Sequence, residues 1–128
     1  LKAKYEQMRK EEVQYEAYNC DTDYQVLIVS YGTMSRVCKT SIDMMKEQGL
    51  EVGLLRPKTL FPFPEKEIYE AATKESCKAV ISIEMSMGQM VEDVERCIKG
   101  KREVDFYGEC GGDIPTPEKI IEVIQGLL

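Results

Sequence analysis

The sequence predicts an α/β domain, a three-layer α/β/α sandwich around a mainly parallel sheet of four or five strands. Three observations carry this. Four short runs read as buried strands: Val26-Leu27-Ile28-Val29, Val52-Gly53-Leu54-Leu55, Ala79-Val80-Ile81-Ser82-Ile83 and Val104-Asp105-Phe106-Tyr107. Each is followed by a segment of helical period, and strands alternating with helices imply parallel crossovers. The chain has 128 residues, 43% hydrophobic and 31% charged. That is a globular balance in one compact domain, which buries roughly two-thirds of its unfolded surface.

The elements follow in order. Residues 1–12 read as a charged helix with a thin apolar stripe of Leu1, Tyr5 and Met8. Over 13–18 the period changes. Val13, Tyr15 and Ala17 alternate with Gln14, Glu16 and Tyr18, which suits a half-buried edge strand. Asn19 to Asp23 is turn chemistry. After the first buried strand, Tyr31-Gly32 makes a turn and Thr33 or Ser35 is expected to cap a helix with the stripe Met34, Val37, Cys38, Ser41, Ile42 and Met45. Gly49 ends that helix. The second strand runs into a proline-rich connection, Arg56 to Pro64, that cannot be helical throughout. Pro64 is placed as the first residue of a helix reaching about Glu75. After the third strand, Met85 to Gly88 is a loop. Met87, Met90, Val91, Val94 and Ile98 form the next stripe, and Gly100 stops the helix. Gly108 to Asp113 is a flexible loop. Thr116-Pro117-Glu118 then supplies cap, proline and acid for a last helix buried through Ile120, Ile121, Ile124, Leu127 and Leu128. The division expected is a linker helix with an edge strand over 1–24 and the α/β domain over 25–128.

Composition removes whole classes of function. Net charge is −6 and the pI is near 4.8, which argues against nucleic acid as a partner. No apolar run approaches the roughly 18 residues of a membrane span, and no signal-peptide pattern opens the chain. There is no histidine, so no Ser-His or Cys-His pair and no histidine metal ligand exists within it. There is no tryptophan for stacking. The cysteines are Cys20, Cys38, Cys77, Cys97 and Cys110, the closest two thirteen apart. They make no Cys-x-x-Cys unit, and an odd, scattered set suits reduced thiols in a cytoplasm. The chain opens on Leu1, which suggests a piece of a longer polypeptide.

In open α/β sheets, ligands sit beyond the carboxyl ends of the strands, so four places stand as candidates. At Gly32 and Thr33 a helix N-terminus offers free N–H groups to an anion, but the string is neither a dinucleotide fingerprint nor a P-loop. A tight turn capped by Thr33 or Ser35 is the expected reading. Arg56 and Lys58 suit an anion contact, or Arg56 pairs with a local acid such as Glu84 while Phe61 and Phe63 pin the loop to the core. Glu84 ends the third strand, where catalytic carboxylates often stand, but it has no obvious titrating mate. A structural Glu84 bonded to loop N–H groups is expected. Met85, Met87 and Met90 around Gly88 form a soft apolar cluster that either fills the core or meets another subunit. Gly111 and Gly112 make a flexible crossing or admit a close backbone neighbour. Residues alone yield no catalytic constellation.

Four strings in order carry a resemblance: Val29-Ser30-Tyr31-Gly32-Thr33; Leu55-Arg56-Pro57-Lys58-Thr59-Leu60-Phe61-Pro62-Phe63-Pro64; Ile83-Glu84-Met85-Ser86-Met87-Gly88-Gln89-Met90; and Gly111-Gly112-Asp113-Ile114-Pro115-Thr116-Pro117-Glu118. Together they resemble the C-terminal domain of transketolase-like thiamine-diphosphate enzymes. The third and fourth narrow this to the alpha subunit of 2-oxoacid:ferredoxin oxidoreductases of the 2-oxoisovalerate or 2-oxoglutarate type. The resemblance covers roughly residues 24–125. It implies a five-stranded mixed sheet with one antiparallel edge strand, for which 13–18 is the candidate. It also implies a parent enzyme that decarboxylates a 2-oxoacid on thiamine diphosphate with Mg, passes electrons through iron–sulfur clusters to ferredoxin, and releases an acyl-CoA.

This chain is then expected to be a non-catalytic assembly domain in the cytoplasm, with no cofactor of its own. Its partners would be the other domains and subunits of the oxidoreductase. Gly32, Thr33, Arg56, Glu84, Met85, Met87, Gly88, Gln89, Gly111 and Gly112 are the candidate interface or anion contacts. The alternatives are a small-anion-sensing regulatory module using Gly32-Thr33 with Arg56 and Lys58, or the equivalent domain of a 2-oxoacid dehydrogenase or transketolase.

Overall fold

The computed structural model describes residues 14–58, 63–85, 88–108 and 113–128. The helix expected at 1–12, and Val13, Phe61, Met87, Cys110, Gly111 and Gly112, lie outside these residues. The elements are β1 (Tyr15–Tyr18), β2 (Val26–Ser30), α1 (Thr33–Glu47), β3 (Val52–Pro57), α2 (Glu65–Ala72), β4 (Ala79–Glu84), α3 (Val91–Ile98), β5 (Val104–Gly108) and α4 (Pro117–Gln125). The strands form one five-stranded sheet in the order β1-β3-β2-β4-β5. β3-β2-β4-β5 are mutually parallel and β1 is antiparallel to β3, so the mixed five-stranded form is realised with 15–18 as its edge.

β2 is central and buried at every position, which is why its sequence is an unbroken apolar run. Alternate side chains feed two cores. Leu27 and Val29, with Leu55 and Val80, pack under Ile68 of α2 and Val94 and Ile98 of α3. Val26 and Ile28, with Leu54, Ile81 and Ile83, pack under Met34, Cys38, Ile42 and Met45 of α1 and Ile120, Ile121 and Ile124 of α4. Ser41 is buried between α1 and α4, where its hydroxyl reaches the Val37 carbonyl at 3.0 Å and the Pro117 carbonyl at 3.1 Å. That satisfies a polar group which would otherwise cost stability in the core. α4 starts as its sequence requires, with the Lys119 N–H donating to Thr116 Oγ1 at 3.2 Å and Pro117 in the first turn. Leu127 is half-buried, and Leu128, expected in the stripe, is exposed.

Three sequence expectations need correction. The pleat of β1 is inverted: Tyr15 and Ala17 are exposed while Glu16 and Tyr18 are half-buried. The polar side chains win the inner side because α1 offers them partners, Lys39 for Glu16 and Asp43 for Tyr18. The helix placed at Pro64 to Glu75 is shorter. Pro64 is its N-cap and Ala72 its last residue, after which the Thr73 hydroxyl bonds back to the Tyr69 carbonyl at 2.7 Å. The helix expected to carry Met87 begins at Val91, with Met90 as its buried N-cap.

Burial also sets the thiol chemistry. Cys38 is fully enclosed, and burial pushes its thiol from near 9 up to about 12, against a smaller opposing hydrogen bond with Ser30. Between those limits the folded chain keeps a proton that the unfolded chain has lost. Stability should therefore fall as pH rises through this window, by at most about 1.4 kcal/mol per pH unit from this group. A thiol reagent at pH 8 should modify half-buried Cys20 well before Cys38 in the native chain; equal rates would contradict this.

Candidate functional site

β3 and β4 flank β2, and the chain leaves β2 toward the α1/α4 layer but leaves β4 toward the α2/α3 layer. In such a sheet that divergence is the usual place for a site. Ser30 pairs with Ile83, so Gly32-Thr33 and the segment from Glu84 stand at neighbouring strand ends.

Glu84 is the most fully hydrogen-bonded carboxylate described there. It is fully buried on the α2/α3 side. Its Oε1 accepts from the Met90 N–H at 2.8 Å, and its Oε2 accepts from the Val91 N–H at 2.9 Å and the Ser82 hydroxyl at 3.3 Å. α3 has no side-chain cap of its own. The carboxylate from β4 does that work, supplying negative charge to the positive end of the helix. The expectation of a structural Glu84 held by N–H groups is met, with the donors coming from the start of α3. Arg56 pairs with an acid as expected, but that acid is not Glu84. Arg56 Nε lies 2.9 Å from Glu16 Oε1, on the opposite side of the sheet.

At the neighbouring strand end, Gly32 rather than Thr33 or Ser35 is the N-cap of α1. It has φ 64° and ψ −147° and no side-chain cap. Thr33 is already helical, and Ser35 turns its hydroxyl back to the Gly32 carbonyl at 2.6 Å instead of toward free N–H groups. That backbone region is open essentially to glycine alone. Gly32→Ala should therefore lower stability by about 1–3 kcal/mol in urea unfolding, although its Cβ meets nothing within 4 Å. An unchanged midpoint would show that the turn is not under conformational constraint.

The methionine cluster divides. Met90 belongs to the core, while Met85 is 37% exposed at the end of β4. Gln89 is exposed beside Gly88. A Cβ on Gly88 (φ 103°) would lie 3.3 Å from Val91 and 3.7 Å from the ring of Phe106, itself 42% exposed. Phe106 thus joins this end of the sheet. Sequence reading missed it because Val104 to Tyr107 gives no sign of which face is covered. A second feature also escaped it, a groove of about 440 Å³ lined by Glu65, Lys66, Tyr69, Arg96, Cys97 and Lys99. Its cations are engaged locally: Arg96 pairs with Asp93, and Lys99 Nζ sits 5.3 Å from the Tyr69 ring centroid.

The buried carboxylate is occupied by backbone donors. Among the described residues no group of three or more Cys, Asp or Glu is placed to hold a metal ion, and no helix is long and apolar enough to cross a membrane.

Comparison with known proteins agrees with this architecture. The chain is 41% identical over 125 residues to the ketoisovalerate oxidoreductase subunit VorB of Methanothermobacter thermautotrophicus, covering 98% of this chain but only 34% of that protein. Its fold matches the 2-oxoglutarate:ferredoxin oxidoreductase of Magnetococcus marinus, solved with 2-oxoglutarate, coenzyme A and succinyl-CoA bound. The TM-score is 0.73 and the identity 25%, over 89% of this chain and 19% of that one. A split-gene transketolase, an inactive β4 tetramer, shares the fold at TM-score 0.65 and 20% identity, over 81% of this chain and 38% of that one. Residues 25–120, well over half of the chain, match the family described as pyruvate:ferredoxin oxidoreductase core domain II, and to that family this chain belongs.

Proposed function

We propose that this chain is the C-terminal assembly domain of the alpha subunit of a 2-oxoacid:ferredoxin oxidoreductase acting on 2-oxoisovalerate or 2-oxoglutarate. The domain comprises residues 25–128 together with the edge strand β1 over Tyr15–Tyr18. The observation that carries the reading is Glu84. The one fully buried carboxylate among the described residues stands where a catalytic acid would be expected, and it is occupied in capping α3. The chain spans about a third of the length of the curated relative it matches, which leaves room for the chemistry elsewhere.

Thiamine diphosphate with Mg, which supplies carbanion stabilisation when bound, belongs in this reading to other parts of the enzyme, as do the iron–sulfur clusters and coenzyme A. The described residues do not fit a cluster. Cys38 is enclosed under α1, and Cys20 and Cys77 donate to the carbonyls of Leu54 and Ala79 at 3.3 and 3.4 Å. Met85, Gly88 and Gln89, together with Phe106, face neighbouring domains or subunits, and ferredoxin is met only through the assembled enzyme. A cytoplasmic location accords with free thiols at Cys20, Cys38, Cys77 and Cys97. Anion sensing at Gly32-Thr33 has less support, because Arg56 is already paired with Glu16.

The test is turnover. The chain alone, given a 2-oxoacid, coenzyme A, thiamine diphosphate, Mg and a viologen acceptor, should reduce no viologen. Reduction above the protein-free rate would overturn the assignment of a purely supporting role.

A further inference from the structure

We propose that β1 is an ionically latched strap that opens from the domain as a unit while the other four strands stay folded. The inference is independent of the assembly role.

The matched family core begins at residue 25, after β1, and β1 touches the sheet only at the outer edge of β3. Its four paired positions run from Tyr15↔Pro57 to Tyr18↔Leu54. Its apolar side chains secure little, since Tyr15 and Ala17 are exposed. Only Tyr18 and Cys20 reach the margins of the two cores.

Polar contacts do the rest. Glu16 Oε1 receives both Lys39 of α1 at 2.6 Å and Arg56 of β3 at 2.9 Å. The Tyr18 hydroxyl donates to Asp43 at 2.6 Å, and Lys39 lies 5.5 Å from its ring centroid. Asn19 receives Lys46 at 3.0 Å and donates to Glu51, also at 3.0 Å. Lys39 and Arg56 favour the charged form of Glu16 and hold its carboxyl below the usual range. A segment with few buried apolar contacts and solvent-reachable ion pairs belongs to the low-stability end of a fold, where local opening precedes global unfolding.

Native-state hydrogen exchange of the 128-residue chain, resolved by residue, tests the proposal. The amides of β1 should exchange faster than those of β2 and β4. E16Q should accelerate β1 about threefold, and E16Q with D43N about tenfold, the size expected for loss of one or several part-exposed polar pairs. β2 and β4 should be unaffected. Raising salt should accelerate β1 in the parent chain far more than in the double variant. If β1 exchanges only as fast as β2 and β4, or if the substitutions move all strands alike, β1 is an integral part of the core and the latch does not exist.

Discussion

Glu84→Ala should destabilise the domain by about 3–5 kcal/mol, read as a lower midpoint in urea with an unchanged slope. The substitution removes the acceptor for the Met90 and Val91 N–H groups and for the Ser82 hydroxyl, all beside a fully buried side chain. Hydrogen bonds to a charged acceptor contribute about 1.5–3 kcal/mol each, and buried donors left without a partner cost about 1–3 kcal/mol apiece. The two N–H groups also lose the negative charge at their helix end. Glu84→Gln separates geometry from charge. Its amide oxygen serves one N–H but its NH2 opposes the other, so it should fall between the parent and the alanine variant. A loss below about 1 kcal/mol in Glu84→Ala would mean that the start of α3 is held by something else.

Gly53→Val is the second large effect, with an expected loss of about 3 kcal/mol, at the upper end for overpacking. Gly53 lies in β3 beside the turn that follows β1. A Cβ there would stand 3.0 and 3.1 Å from the Tyr24 ring and 3.2 Å from Cys20 Sγ. Tyr24 cannot retreat easily. It is 1% exposed, and its hydroxyl donates to the Ala71 carbonyl at 2.7 Å, so displacing the ring breaks the tie between β2's approach and the end of α2. Replacing a strand glycine by a β-branched residue normally gains from propensity and from the lower entropy of the unfolded chain. A neutral or stabilising result would therefore show that the Tyr24 pocket is looser than these distances imply. Thermal denaturation of Gly53→Ala beside Gly53→Val grades the clash.

Much of the fold was legible because burial on both faces leaves a plain trace. Val26 to Val29 could only be a covered strand, and the proline after Thr116 could only open a helix. What escaped depended on partners distant in sequence. Glu16 meets Lys39 and Tyr18 meets Asp43, both on α1 and more than twenty residues away, and those pairings inverted the pleat of β1 against its hydrophobic pattern. That Glu84 accepts from N–H groups was foreseeable, but which donors it meets follows from how β4 hands over to α3, which no spacing rule encodes. The mistaken Thr33 cap has the same origin. A threonine after glycine is a good cap by composition, yet Gly32 takes that position through a conformation closed to other residues. Phe106 and the Lys66–Lys99 groove were invisible because edge exposure and helix adjacency are properties of the assembled layers.

Isothermal calorimetry of thiamine diphosphate with Mg titrated into this chain alone bears most directly on its proposed role. A supporting domain should give only the heat of dilution. A saturable isotherm with micromolar affinity would place a cofactor site within these residues and contradict that role.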